Sequence, residues 1–359
     1  MPGRVAVVYN EPQPSGYDAR HEEKAVLGVL DAVSAVQEAL RVLGYEAALL
    51  PLLPPFEEAR KKLAALDVDV VFNLFEGFCG QPETEILVPE TLTQLGIPFT
   101  GCRAEVLRLA LDKAGVKAIL RENGIPTPDF QVIGPSSLHT FRLRFPCIVK
   151  PRAEDASHGI TADSLVTDFT SLVRQVKEIT ATFHGGSLVE EFVTGREFNA
   201  TVMGNNRGTV LPVSEIVYSL APGVPRILTF AAKWEPDSVY FQGTKVVCPA
   251  EVSESERRYI AGTALRAFKL VVGTGYARVD MRMDETGTLN IIEINPNPDI
   301  SPDTGAARQS AAAGMTYAEF INKIVNMALE KGKNGCDNPP HVRRRQAGAD
   351  ADTEKYARI

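Results

Sequence analysis

The chain has 359 residues, 44% hydrophobic and 23% charged, with 28 glycines and 24 prolines. That balance belongs to globular proteins, excludes collagen-like, fibrous and disordered classes, and at this length allows two or three domains. A formal net charge of −7 leaves no broad basic surface, which argues against nucleic acid or an anionic membrane as partner.

The apolar runs at 68–74 and 289–294 are far too short to span a bilayer. The run at 5–9 is too short for a signal-peptide core and reads as a first strand. Cys79, Cys102, Cys147, Cys248 and Cys336 are scattered, without metal-ligand spacing. They predict a reducing, cytoplasmic setting and neither zinc nor Cys–His chemistry.

In chain order, residues 4–9 form a strand. Residues 22–43 carry a helical stripe of Ala25, Val29, Ala32, Val33, Val36 and Leu40, ended by Gly44. Strands at 45–50 and 68–74 flank a helix at 56–66, and a further helix covers 82–95. This β-α-β-α order predicts a parallel sheet with helices packed on it. Residues 103–130 are mostly helical, with Pro126 and Pro128 marking the exit.

From 147 to about 213 the pattern becomes α+β, with strands at 147–151, 188–191 and 197–203 and a helix at 168–182. The last part has a strand at 244–248, helices at 253–271 and 317–331, and strands at 277–283 and 289–294. The turn Asp284-Glu285-Thr286-Gly287 joins those two strands into a hairpin. Beyond Lys331 the polar stretch with Pro339, Pro340 and arginines at 343–345 reads as a solvated, mobile tail.

The strongest chemical signal is YARVDMRMDETGTLNIIEINPNPDISP at 276–302. Alternation sends Arg278 and Asp280 to one face of the first strand. The same rule places Leu289, Ile291, Glu293 and Asn295 on one face of the second. Asp280, Glu293 and Asn295 then form an all-oxygen cluster suited to Mg²⁺, which commonly also binds substrate phosphates. A second segment, FPCIVKPRAEDASHGI at 145–160, delivers Lys150 from a strand into a polar stretch able to fold over phosphates. A third, SLVEEFVTGREFNATVMG at 187–204, sets Glu190 and Glu191 at one strand end and Glu197 at the start of the next. A carboxylate there can accept hydrogen bonds from ribose hydroxyls.

These three segments, in this order, resemble the ATP-grasp superfamily, and within it the D-alanine–D-alanine ligases, over about residues 1–330. The resemblance implies an α/β and α+β fold: an N-terminal parallel α/β domain at 1–102, then ATP-grasp subdomains at 103–193 and 194–331 clasping ATP, with 332–359 as the tail. It implies that Asp280, Glu293 and Asn295 hold two Mg²⁺ ions, with Mn²⁺ as an alternative. Lys113 and Lys150 would contact nucleotide phosphates, although Lys117 shares the helical face of Lys113. Glu190, Glu191, Phe192 and Val193 would hold adenine, and Glu197 the ribose.

Lys233, in LTFAAKWEP, would close a loop over the phosphates, and Arg278 would stabilise a tetrahedral oxyanion or serve as a structural partner of Asp280. Residues 154–159 are similar to the family's EGSSxG loop and keep Ser157. The implied reaction is ATP-dependent ligation of two amino acids through an acyl phosphate. A ligase for another amino acid, peptide or amide and an inactive nucleotide-binding module stand beside it as alternatives. A homodimer is also implied.

The amino-acid side departs from the family. Its Ser-x-Glu element is replaced by YNEPQPSGYDARHEEKAV, in which Glu22 or Glu23 stands for the glutamate. FNLFEGFCGQPETE puts Glu76 at the usual histidine and Gln81 at the usual glutamate. NPDISPDT puts Asp299 at a glycine and Thr304 at a serine. Glu76, Asp299 and Asp303 make that side more acidic, so a substrate carrying an extra amine or another cation is expected in place of D-alanine.

Overall fold

The fold follows from where apolar faces find partners. A computed structural model describes residues 3–14, 27–154, 157–183, 186–205 and 207–333. Glu22, Glu23, Ala25 and all of the tail beyond residue 333 lie outside the described residues.

The first unit is a parallel three-stranded sheet in the order β2-β1-β3: β1 (Arg4–Asn10), β2 (Glu46–Leu52) and β3 (Val70–Leu74). Helices α1 (Val29–Val42), α2 (Phe56–Ala64) and α3 (Leu87–Leu95) connect its strands or follow them. The helix expected over 82–95 is broken at its start. Residues Pro82–Thr84 form a 3₁₀ turn, and Thr84 Oγ1 accepts from the Phe78 N–H at 2.7 Å while donating to the Gln81 carbonyl at 2.7 Å. The hydroxyl thus ties the chain into a turn before the α-helix begins. Gly96, at φ 69°, ends α3.

The expected helical stretch after residue 103 is two helices, α4 (Ala104–Leu111) and α5 (Lys113–Glu122), separated by the non-helical Asp112. An antiparallel four-stranded sheet follows in the order β4-β7-β5-β6, from β4 (Phe130–Ile133), β5 (Cys147–Pro151), β6 (Leu165–Val166) and β7 (Ser187–Glu191), with α6 (Phe169–Phe183) packed on it. The third sheet runs β11-β10-β8-β12-β13, with β9 beside β8. Its strands are β8 (Arg196–Asn205), β9 (Thr209–Val210), β10 (Ser214–Tyr218), β11 (Thr244–Val247), β12 (Thr274–Met283) and β13 (Leu289–Pro296). Short helices α7 (Phe230–Trp234) and α8 (Val239–Gly243) lie before β11. They are followed by α9 (Glu254–Val271), α10 (Gly305–Ala312) and α11 (Tyr317–Lys333).

Phe198, Ala200 and Val202 of β8 and Ala277, Val279 and Met281 of β12 pack on Ile260, Ala264, Ala267 and Phe268 of α9. Val106, Leu107, Val116 and Leu120 of α4 and α5 join the same core, so residues 104–122 help cover the third sheet. Phe320, Ile321, Ile324 and Val325 of α11 return to pack with Val5, Val7, Val36 and Phe72 of the first unit. No helix among the described residues is long and apolar enough to cross a membrane.

Strict alternation fails in β13, so Leu289 and Ile291 do not share a face with Glu293 and Asn295. Met281 pairs with Ile291 but Asp280 pairs with Glu293, leaving Ile292 as an extra residue. This bulge reverses the parity of the strand. Leu289, Ile291 and Ile294 therefore point into the core, and Glu293 and Asn295 join Asp280 and Arg278 on the other face. Both backbone groups of Ile291 leave the ladder for the linker before β4. Its N–H donates to the Pro126 carbonyl at 2.8 Å, and its carbonyl accepts from Thr127 Oγ1 at 2.8 Å.

The first and third units meet tightly at Gly275. This residue sits at φ +98°, and a Cβ there would lie 2.7 Å from the Gly101 carbonyl oxygen. Gly275→Ala should lower stability by about 3 kcal/mol, combining left-handed strain with a backbone clash. Gly287→Ala, at φ +83° with open space around it, should cost only about 1–2 kcal/mol. Urea midpoints of the two variants check the difference; equal shifts would refute the contact.

Candidate active site

The site is assembled from two antiparallel sheets and the helix pair between them. Register places Asp280 opposite Glu293 on one side and Asn199 on the other, while Arg278 faces Asn295 and Thr201, and Arg282 faces Glu197. Alternation then gathers Glu197, Arg278, Asp280, Arg282, Glu293 and Asn295 on the face away from the α9 core.

Arg278 binds Asp280 bidentately, Nε to Oδ1 at 2.7 Å and Nη2 to Oδ2 at 2.8 Å. Burial alone would lower the Arg278 pKa, but Asp280 raises it well beyond the ordinary arginine value. Asn295 Nδ2 donates to Asp280 Oδ2 at 2.9 Å. Glu293 pairs with Lys113 Nζ at 2.9 Å. Burial would raise the Glu293 carboxyl, but Lys113 and Lys150 outweigh it and hold it at about 2. Lys113 reaches this point because Asp112 breaks the helix, which makes the lysine the first residue of α5.

One turn further on, Lys117 is buried. Its Nζ lies 3.1 Å from Glu190 Oε1 and donates to Thr127 Oγ1 at 3.0 Å. Lys150 on β5 donates to Glu190 Oε2 at 3.0 Å. One buried carboxylate thus bridges two lysines from two elements. Burial pushes Lys117 down to about 8, against the pull of Glu190. Burial would raise Glu190, and the two lysines outweigh it and hold it below the usual carboxylate range.

Glu191 points the other way, as the next residue on a strand must. Its carboxylate is held by Arg144, with Nη2 to Oε2 at 2.8 Å. Phe192 lies under the Arg282 guanidinium, 4.5 Å from the ring centroid, and Val193 follows it toward β8. Glu197 accepts from the Tyr218 hydroxyl at 2.8 Å and lies 3.5 Å from Arg282 Nε; burial raises its pKa.

Lys233 lies in the last turn of α7, whose N-cap Thr229 accepts from the Ala232 N–H at 3.1 Å. Burial and the nearby Arg278 push it down to about 8, with Asp280 and Glu293 pulling the other way. Ser157 is left-handed at φ 64°, and its carbonyl accepts from Ile160 at 3.0 Å. The Phe230 N–H donates to the Ile160 carbonyl at 3.1 Å, and the His158 and Phe230 rings lie 5.6 Å apart. The Ser157 loop and the Lys233 helix are therefore latched together.

Lys113, Lys117, Lys150, Lys233, Arg278 and Arg282 surround Glu190, Glu197, Asp280 and Glu293. Lysines and arginines are thus concentrated in one place, a setting suited to a phosphate-bearing ligand. Among the described residues no group of three or more His, Cys, Asp or Glu side chains could hold a metal. The available donors are two carboxylates and the Asn295 amide, hard oxygens that suit a Mg²⁺ completed by ligand phosphates.

The remaining candidates stand at the first unit. Glu76 lines a cleft with Asp299. Gln81 lies outside that lining, in the turn where its carbonyl accepts from Thr84. Thr304 caps α10 and directs its hydroxyl to the carbonyls of Asp299 and Ser301 at 3.0 and 2.8 Å. Sequence reasoning missed Arg282 and Tyr218. Arg282 follows Arg278 and Asp280 at a two-residue spacing, the signal that could have found it. Tyr218 lies on β10, a strand with no pattern strong enough to be read.

Two α+β sheets facing each other over a cluster of lysines, with carboxylates on an antiparallel hairpin, define an ATP-grasp architecture. The family model described as "D-ala D-ala ligase C-terminus" matches residues 119–326. The D-alanine–D-alanine ligase of Bordetella pertussis is 31% identical over 92% of this chain and 96% of its own length. An uncharacterized protein, y4sG, of Sinorhizobium fredii is 34% identical over 72% of this chain and 74% of its own. The solved structure of the Bacillus anthracis D-alanine–D-alanine ligase complexed with ATP superposes with TM-score 0.68 at 20% identity, covering 92% of this chain and 99% of that one. This chain belongs to the D-alanine–D-alanine ligase family.

Glu190→Gln should leave Lys117 buried without a counter-charge and cost about 3–5 kcal/mol at pH 7. The folded Glu190 carboxyl is held below its unfolded value, so its contribution is present above pH 4.5 and is lost as pH falls below it. Urea titrations of variant and wild type should therefore converge below pH 4.5. A gap that stays constant from pH 7 to pH 3 would refute the assignment.

Proposed function

We propose that this chain is an ATP-dependent ligase that forms a C–N bond between the carboxylate of one amino acid and the amine of another, through an acyl phosphate. The observation that carries the reading is the single face on which Arg278, Asp280, Glu293 and Asn295 meet Lys113, with Lys117 and Lys150 beside it on Glu190. The Bordetella relative and the ATP-bound Bacillus structure support the same reading. ATP would lie between the second and third sheets. The first unit would close the amino-acid side, along domain limits of 1–102, 103–193 and 194–331.

Lys113 and Lys150 would meet phosphate oxygens, with Glu190 and Lys117 holding Lys150 in place. Phe192 and Val193 would flank the base, and Glu197 would accept from the ribose. Mg²⁺ held by Asp280, Glu293 and Asn295 would neutralise phosphate charge. A substrate carboxylate oxygen attacks the γ-phosphorus, and the bond to the β-phosphate oxygen breaks, releasing ADP. The deprotonated amine of the second amino acid then attacks the acyl carbon. Arg278 faces the oxyanion that develops there, and collapse expels phosphate. Lys233 and the latched Ser157 loop would cover the phosphates and exclude water, which would otherwise hydrolyse the acyl phosphate. A cytoplasmic homodimer completes the proposal.

Glu293→Ala should keep the far-ultraviolet circular dichroism of the wild type and abolish ADP release. An active Glu293→Ala enzyme would refute the metal assignment. Arg278→Ala should lower kcat by about 10²–10³-fold with a far smaller change in ATP affinity. Steady-state kinetics and nucleotide titration separate the two effects, and equal losses in both would make Arg278 a structural partner of Asp280.

A further inference from the structure

Asn199 lies on β8 between residues of the site. Register sets it directly across from Asp280, and alternation puts its side chain on the face of Glu197, away from the α9 core where Phe198 and Ala200 pack. Helix α10 lies over that same face. A Cβ on Gly305, its first residue, would stand 3.8 Å from Arg278 Cδ, and Gln309 on the next turn is fully buried.

The orientation of the Asn199 amide follows from a donor that cannot be reversed. The Thr201 backbone N–H can only donate, and it meets the Gln309 amide at 2.7 Å, so the atom there is Oε1. Gln309 Nε2 is then the donor at the other end. It lies 3.1 Å from the Asn199 carbonyl oxygen, 3.0 Å from Ser214 Oγ and 2.7 Å from the Asn199 side chain, whose facing atom is therefore the acceptor Oδ1. Ser214 pairs with Asn199 on the β10 side, so Oδ1 is held toward β10 and Nδ2 is the end turned away from Gln309.

Asn199 Nδ2 donates to no described residue. Asp280, across the ladder, already accepts from Arg278 through both oxygens and from Asn295 through Oδ2. A buried glutamine thus spends its amide on fixing an asparagine whose donor stays unused beside the site. A donor at a position only 8% exposed is costly to leave unmatched unless a ligand oxygen meets it. Between Glu197, placed for ribose hydroxyls, and Asp280, placed for the metal, runs the polyphosphate chain, whose oxygens accept.

We infer that Asn199 is a further nucleotide-binding residue, donating from Nδ2 to a polyphosphate oxygen, and that Gln309 is the positioning residue that aims it. The inference rests on the ligase reading, which sets where the nucleotide lies.

The test is calorimetric titration of the purified chain with ATP and with ADP, Mg²⁺ present, so that the readout is binding and not turnover. Asn199→Ala should weaken both nucleotides about tenfold, the worth of one hydrogen bond to a charged acceptor. Asn199→Asp keeps an acceptor for Gln309 but turns a carboxylate oxygen toward the phosphates, and should weaken them further than Asn199→Ala. Unchanged binding in Asn199→Ala overturns the inference and leaves the ligase standing. Asn199→Asp binding at least as tightly as Asn199→Ala overturns the phosphate contact in favour of a donor on the ligand, such as a ribose hydroxyl. Absence of nucleotide binding by the wild-type chain overturns the ligase reading and this contact with it.

Gln309→Met should lower the urea midpoint whether or not Asn199 is present, but should weaken ATP only where Asn199 is present. Equal further weakening in the Asn199→Ala background overturns the positioning role and makes Gln309 structural alone.

Discussion

One unpaired residue in β13 decides where the chemistry stands. Without the bulge at Ile292, the alternation that buries Leu289 and Ile291 would drive Glu293 into the hydrocarbon packed on α9. An unpaired carboxylate there would cost several kcal/mol or give up its charge. With the bulge, the strand keeps its apolar anchors and still turns Glu293 and Asn295 toward Asp280. The bulge is held by Pro126 and Thr127, which take both backbone groups of Ile291. Thr127 also accepts from Lys117, so the linker that permits the bulge is tied to the lysine that pairs with Glu190. The hairpin carboxylates and the lysines around Glu190 thus share one support.

Charge pairing explains how so many ionised groups survive partial burial. Glu190 is enclosed yet stays ionised because two lysines flank it, and Glu293 stays ionised because Lys113 and Lys150 do the same from the other side. Each carboxylate orients a cation in addition to neutralising it. The lysines arrive from α5 and β5, and Lys117 and Lys150 meet on the one Glu190 carboxylate. Glu76 and Glu85 of the first unit line a cleft together with Asp299, which lies just beyond β13.

Much of this was legible in the chain. The parallel β-α-β start, the late hairpin and the identities of Asp280, Glu293 and Asn295 follow from periodicity and residue type. The facing of β13 was not, because alternation carries no mark of an inserted residue when every neighbour is isoleucine, leucine or asparagine. Strands β4, β6, β9 and β10 were missed because each is short and borrows its stability from neighbours already in the sheet. The break at Asp112 escaped for a similar reason. The helical pattern runs straight through it, and only the tertiary demand for Lys113 at Glu293 makes the interruption visible.

The latch between the Ser157 loop and α7 shows how a cover can be built from local pieces. A left-handed serine turns the loop, Ile160 offers its carbonyl to Phe230, and His158 packs on the same ring. Lys233 lies three residues beyond Phe230 on that short helix, next to the residue that contacts the loop. A helix of five residues has little stability of its own, and its order depends on this contact and on the cap from Thr229.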